Sequence, residues 1–137
     1  PTELTNLSKI HWTKKLENID IEMNYQRTAE GYTKEMLYFN WDENLLKSIK
    51  SFCKQQRTTL FLFMSAVYSC LLYRYFNQES LCLWYPQNIR PKGANKLYGF
   101  YVVPMPMSVE CNNNENFIGL LDKIREQRKE DNQHIPL

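Results

Sequence analysis

The chain has 137 residues, 43% of them hydrophobic and 23% charged, which fits one soluble globular domain with a usable core. Its 17 Lys and Arg against 15 Asp and Glu leave a formal charge of +2, and the two signs are interspersed. That excludes the clustered basic face on which a nucleic-acid binder or a membrane-surface protein depends.

Taken in order, Pro1-Thr2-Glu3-Leu4-Thr5 has neither the basic start nor the apolar run of a signal peptide, so a cytoplasmic location is expected. From Thr5 to about Leu16, the residues Leu7, Ile10, His11 and Leu16 recur at helical spacing with Trp12 beside them. Asn18 to Thr33 shows no sustained period and contains Gly31. It reads as a loop, long enough to lie over a neighbouring surface. Met36 to Trp41, a run of Met, Leu, Tyr, Phe and Trp, reads as a short strand. Asp42 then caps a helix whose Leu45, Ile49, Phe52 and Cys53 form one apolar stripe, ending near Arg57. Thr58 or Thr59 caps a second helix, Leu60 to about Phe76, apolar almost all round and so expected to be covered on several sides. Ser65, Tyr68, Ser69 and Arg74 make that stretch too polar for a membrane span.

A turn at Asn77-Gln78-Glu79-Ser80 leads into a buried-looking strand, Leu81 to Tyr85, closed by Pro86. Gln87 to Lys96 is a loop holding Pro91, Gly93 and the cations Arg90, Lys92 and Lys96. Leu97 to Glu110 is β-branched, aromatic and apolar, and reads as one long strand. Pro104 and Pro106 lie two apart, so their missing N–H groups fall on the same edge. The edge of Val103, Met105 and Met107 is the one able to carry a full ladder. Such a strand belongs at a sheet border, at a bulge or at a crossing between two bodies, and Gly99 at its entrance admits a bend or a close approach. After Cys111-Asn112-Asn113-Asn114, Asn114 caps a last helix with Phe117, Leu120, Leu121 and Ile124 on one face. Beyond Arg125 that helix is nearly all polar and reads as mostly a solvated face. Together these elements indicate an α/β class, a small mixed sheet covered by helices.

By itself the sequence offers no catalytic constellation: no Gly-x-Ser-x-Gly elbow, no glycine-rich phosphate loop, no His-Glu-x-x-His. Cys53, Cys70, Cys82 and Cys111 include no Cys-x-x-Cys pair, and neither His11 nor His134 stands at zinc-ligand spacing from them. No metal is expected, and the thiols read as reduced, small core residues. His11 and His134 read as packing or surface histidines, and Arg90 as a solvated loop arginine before an anion contact.

The succession of motifs nevertheless resembles the C-terminal half of a condensation domain of nonribosomal peptide synthetases, in the chloramphenicol-acetyltransferase-like acyltransferase superfamily. His11-Trp12 followed by Leu16 resembles the family's aromatic-Trp-x-x-x-Leu segment, and Phe39 to Leu46 its strand-then-helix start. Thr59-Leu60-Phe61 with the helix to Tyr73-Arg74-Tyr75 resembles Ala-Thr-Leu-Phe … Leu-x-Arg-Tyr. Glu79 to Pro86 resembles the next strand, Arg90 falls where the family places a loop arginine, and Tyr98-Gly99-Phe100-Tyr101-Val102 resembles Ile-Gly-Phe-Phe-Val. Phe117 through Arg125 resembles Phe-x-x-Leu-Leu-x-x-Val-Arg, and Gln133-His134-Ile135-Pro136 resembles the start of the last motif, without its Phe-Glu continuation.

The resemblance implies one lobe of a two-lobed, CoA-dependent acyltransferase-like fold, residues 1–137, truncated at both ends. The lobes of such domains enclose a channel where phosphopantetheine arms of two carrier proteins deliver donor and acceptor for amide-bond formation. The catalytic His-His-x-x-x-Asp-Gly motif belongs to the other lobe, so no catalytic residue is assigned in this chain, and alone it is not expected to turn over. No cofactor is expected to bind directly, phosphopantetheine being brought by carrier proteins. Arg90, Gly99, Phe100, Tyr101, Val103 and Met105 are assigned to the channel or lobe junction. The implied partners are the N-terminal lobe, peptidyl or acyl carrier proteins and adjacent synthetase domains, with self-association expected of the isolated lobe. Nucleic acid and membrane are not among them. Val103-Pro104 replaces the family's usual Asn-Thr, removing an amide's two donors and one acceptor. That departure admits two alternatives: a non-catalytic condensation-like interaction module, or the lobe of a carrier- or CoA-dependent O-acyltransferase.

Overall fold

The computed structural model describes residues 3–17, 19, 35–94 and 96–135. Its elements are α1 (Glu3–Leu16), α2 (Glu43–Gln55), α3 (Leu60–Phe76), β1 (Ser80–Asn88), β2 (Val102–Glu110), α4 (Phe117–Asp131) and a 3-10 turn at Asn132–His134. The predicted 18–33 loop lies outside the described residues, Ile19 apart.

Short polar side chains start the helices. Asp42 Oδ1 accepts from Leu45 N at 2.9 Å and Thr59 Oγ1 from Leu62 N at 3.2 Å, each filling an otherwise free first-turn donor. The last helix is capped by Asn116, whose Oδ1 accepts from Gly119 N at 2.8 Å, and not by Asn114, which lies in the preceding turn. Arg57 and Asn77 adopt positive φ of 50°, so the chain turns sharply out of α2 and α3.

β1 and β2 form a two-stranded antiparallel ribbon in which Ser80 pairs with Glu110 and Asn88 with Val102. The backbone bonds flanking it, Cys111 N to Glu79 O at 2.8 Å and Ile89 N to Tyr101 O at 2.9 Å, show that odd-numbered residues turn their N–H and C=O toward the partner strand. Pro104 and Pro106 therefore face the outer edge of β2, as their spacing predicted. Pro86 occupies the equivalent outward position, opposite Pro104. This is why β1 does not close at Pro86 but runs on to Asn88: the missing N–H is not needed in the ladder.

The odd-numbered side chains Leu81, Tyr85, Met105, Met107 and Val109 pack with Leu62, Ala66 and Leu72 of α3 and Leu120, Leu121 and Ile124 of α4. On α3 the residues turned inward are largely small: Ser65, Ala66 and Ser69 are buried, and both serine hydroxyls donate to their own helix, to Phe61 O at 2.9 Å and Ser65 O at 2.8 Å. Phe52, Phe63 and Phe117 form an aromatic group joining α2, α3 and α4, with centroids 5.6 to 6.2 Å apart; Phe63 meets the other two edge to face, and Phe52 and Phe117 are tilted. Arg128 ties α4 to β1, donating to Tyr85 Oη at 2.7 Å and to Gln87 Oε1, with its guanidinium over the Tyr85 ring.

Two expectations are corrected. Met36 to Trp41 is not strand: it has no partner strand among the described residues, and Leu37, Tyr38 and Phe39 are 76 to 86% exposed. α3 is covered on one face only, with Tyr68, Leu71 and Tyr75 standing 48 to 80% exposed along its outer face. Along the polar end of α4, Asp131 is buried.

All four cysteines are free thiols, Cys53 and Cys111 buried. Burial, then the neighbouring Cys70, pushes the Cys111 thiol up to about 11, Lys123 opposing. Because the folded value lies above the ordinary 9.0, stability is fully present below pH 9 and falls as pH rises from 9 through 11. Denaturant melts at pH 8 and pH 10.5 are expected to show this loss, and a Cys111→Ala variant a smaller one. Leu121, wholly buried, is expected to cost about 2–5 kcal/mol on truncation to Ala, against less than about 0.5 kcal/mol for Leu71, as read by the same melts.

Candidate functional site

Five of the six assigned residues lie on the 89–101 connection or the first turns of the ribbon beside it. The sixth, Met105, is 4% exposed and belongs to the core beneath α3 and α4. Val103 pairs with Gln87 and rests against the same core from the helix side, half-buried, while Pro104 lies on the other side of the ribbon and is exposed. The predicted strand thus divides: 97–101 is not strand, and the ladder begins at Val102.

The connection is built around Arg90. Asn88 Oδ1 accepts from Arg90 N at 2.9 Å, turning the chain as it leaves β1. Pro91 O accepts from Ala94 N at 3.1 Å, and Gly93 between them has φ of +86°, the glycine position of a tight turn. The Arg90 guanidinium donates through Nη1 to Ala94 O at 3.0 Å and Leu97 O at 2.6 Å, and lies 4.1 Å over the Tyr101 ring. It is half-buried, and its Nη1 donors hold the two limbs of the loop together. Gly99 completes the arrangement. A Cβ there would stand 2.9 Å from Tyr101 Cε2 and 3.1 Å from Cζ, against a ring that Arg90 covers from another side.

Beyond this staple the chain presents Leu97, Tyr98 and Phe100 to solvent, Phe100 at 90% exposure. Sequence reading assigned Phe100 but missed Leu97 and Tyr98; three large apolar residues beside an arginine-bound turn were the available signal. Further apolar surface lies between α3 and β1, a groove of about 540 Å³ lined by Phe61, Met64, Tyr68, Leu83, Trp84 and Met107. His11 and His134 lie apart from all this, stacked on each other where α1 meets the end of α4. No group of three His, Cys, Asp or Glu able to hold a metal occurs among the described residues, and no single described helix is long and apolar enough to cross a membrane. The arrangement is an apolar loop whose two limbs are held by one arginine, with Leu97, Tyr98 and Phe100 presented outward.

Loss of the Arg90 donors acts on this loop and not on the core. Arg90→Ala is expected to speed tryptic cleavage after Lys92 and Lys96 about tenfold or more while leaving the melting midpoint nearly unchanged. Gly99→Ala, by displacing the Tyr101 ring, is expected to do so to a lesser degree; limited proteolysis followed by mass spectrometry reads both.

Comparison with known proteins agrees with the motif reading. The chain is 28% identical over 136 residues to surfactin synthase subunit 3 of Bacillus subtilis (strain 168), covering 93% of this chain and 11% of that protein. It is 25% identical to a linear gramicidin synthase of Brevibacillus parabrevis, covering 90% of this chain and 3% of that one. Among solved structures it is similar to the first condensation domain of the CDA synthetase, with a TM-score of 0.82 at 10% identity, over 97% of this chain and 30% of the other. The SgcC5 protein from Streptomyces globisporus gives 0.77 at 19% identity, over 98% and 32%. The chain therefore spans about a third of the solved structures it matches and a much smaller share of the curated relatives. The family model "Condensation domain" matches residues 4–137, and the chain belongs to the condensation-domain family.

Proposed function

We propose that this chain is the C-terminal lobe of a condensation domain in a nonribosomal peptide synthetase, and that it supplies one wall of the channel where amide bonds form. In that reaction the acceptor amine nitrogen attacks the donor thioester carbonyl. The C–N bond forms, the C–S bond breaks, and the phosphopantetheine thiol leaves with the proton the amine gives up. The base that assists belongs to the other lobe. This chain's part is to shape and dry the channel, through the Arg90-stapled connection, and to offer docking surface to carrier proteins and adjacent synthetase domains. The four free thiols suit a reducing, cytoplasmic setting.

The observation that carries this reading is the family match over residues 4–137 in a chain whose large apolar residues stand exposed on three separate features: 36–41, the outer face of α3, and 97–100. Surface of that kind is interface. Val103-Pro104 favours a second reading, a condensation-like module that docks partners without turning over, because the Val103 side chain has no polar atom to offer a substrate and Pro104 has no N–H.

The test is a condensation assay on the intact protein that carries this chain, with loaded donor and acceptor carrier domains and the product read by mass spectrometry. Amide product supports the first reading; loaded carriers that bind without product support the second. Phe100→Ala, at a position 90% exposed, is expected to leave the melting midpoint unchanged while lowering the condensation rate about tenfold or more through lost positioning.

A further inference from the structure

A cluster of titratable side chains lies away from the 89–101 connection, where α1 meets the end of α4. Asp131 is wholly buried although Lys129 and Glu130 before it are exposed. Its Oδ1 lies 3.0 Å from His11 Nε2 and accepts from Lys15 Nζ at 2.5 Å, while Oδ2 is buried with no partner among the described residues. The side chains of His11 and Lys15 are each 13% exposed. The His11 ring stacks on that of His134 at 4.1 Å, its Nδ1 lies 3.8 Å from Glu130, and Trp12 Nε1 donates to His134 O at 2.8 Å.

Trp12 packs against the core, but Leu7 and Ile10 are 51% and 63% exposed and Leu16 is half-buried, so apolar contact alone leaves the rotation of α1 loosely set. His11 and Lys15, by contrast, stand four apart on one face, so both reach a single carboxylate oxygen in only one rotation of the helix. Taking a carboxylate and an ammonium out of water is offset only by good geometry, and here one oxygen stays unfilled, so the pair adds little net stability. Its effect is on choice: any other seating of α1 leaves the Asp131 charge buried and uncompensated.

We infer that Asp131 is the positioning residue that seats α1 in one rotational setting, through His11 and Lys15. The same seat grips the 3-10 turn at Asn132–His134, whose ring and carbonyl are held by His11 and Trp12. The first helix and the last turn of the chain are thereby set together, whatever reaction the domain performs.

Hydrogen exchange with mass-spectrometric readout, on the intact protein that carries this chain, tests this. Lys15→Met leaves the buried carboxylate half compensated, and exchange across 5–16 is expected to rise about tenfold or more while α3 keeps its protection. Adding Asp131→Asn removes the stranded charge and keeps an acceptor for His11, so the double variant is expected to recover most of the α1 protection. If Lys15→Met does not fold, folding of the double variant is the same rescue, and its failure to fold overturns the inference. Unchanged α1 exchange in Lys15→Met, equal loss in α1 and α3, or a double variant faster than the single one would also overturn it.

Discussion

The register of the β1–β2 ribbon is the constraint on which the rest of the structure depends. Pro86, Pro104 and Pro106 all stand at even positions, and the ladder is made by odd ones. A slip of one residue in either strand would bring proline into the ladder and turn Leu81, Tyr85, Met105, Met107 and Val109 away from the helices. Ladder and core thus demand the same register. The prolines also deprive both outer edges of donors, so the ribbon is a poor template for further strands at those points. What covers it must come as helices on its faces, and α3 and α4 do so through Phe61, Tyr85 and Arg128.

From that ribbon the functional region follows by geometry. Two strands fixed in register hold the ends of the 89–101 connection at Ile89 and Tyr101, bonded backbone to backbone. Arg90 then draws the intervening residues onto Tyr101. The large side chains left over, Leu97, Tyr98 and Phe100, have no inward place and point to solvent. A loop stiffened in this way can present apolar side chains at low entropic cost, as a channel wall or a docking surface requires.

Much of this was legible in the sequence, for physical reasons that can be named. Asp42 and Thr59 announced their helices because a short oxygen-bearing side chain before an apolar period does one local thing. The proline spacing told which edge of β2 carries the ladder, since that argument needs only an alternating backbone. The errors share a cause as well. Met36 to Trp41 has strand composition, yet a strand exists only with a partner. The composition of α3 suggests cover on several sides because composition cannot tell a core from an interface. Asp131 looked solvated because nothing near it in sequence discloses that Lys15, 116 residues away, neutralises it. Met105 and Phe100 were assigned together from their motif, and nothing in that motif discloses that one is buried and the other exposed.

The account holds that the exposed apolar faces of this chain are internal boundaries of a larger two-lobed domain. Hydroxyl-radical footprinting of the intact protein tests that most directly, with buried Tyr85 as internal reference. The account predicts that Tyr38, Phe39 and Tyr75, exposed at 85, 76 and 80% in this chain, are labelled about as slowly as Tyr85 once the whole protein is present. Labelling of all three at the fast rate those exposures imply would contradict it.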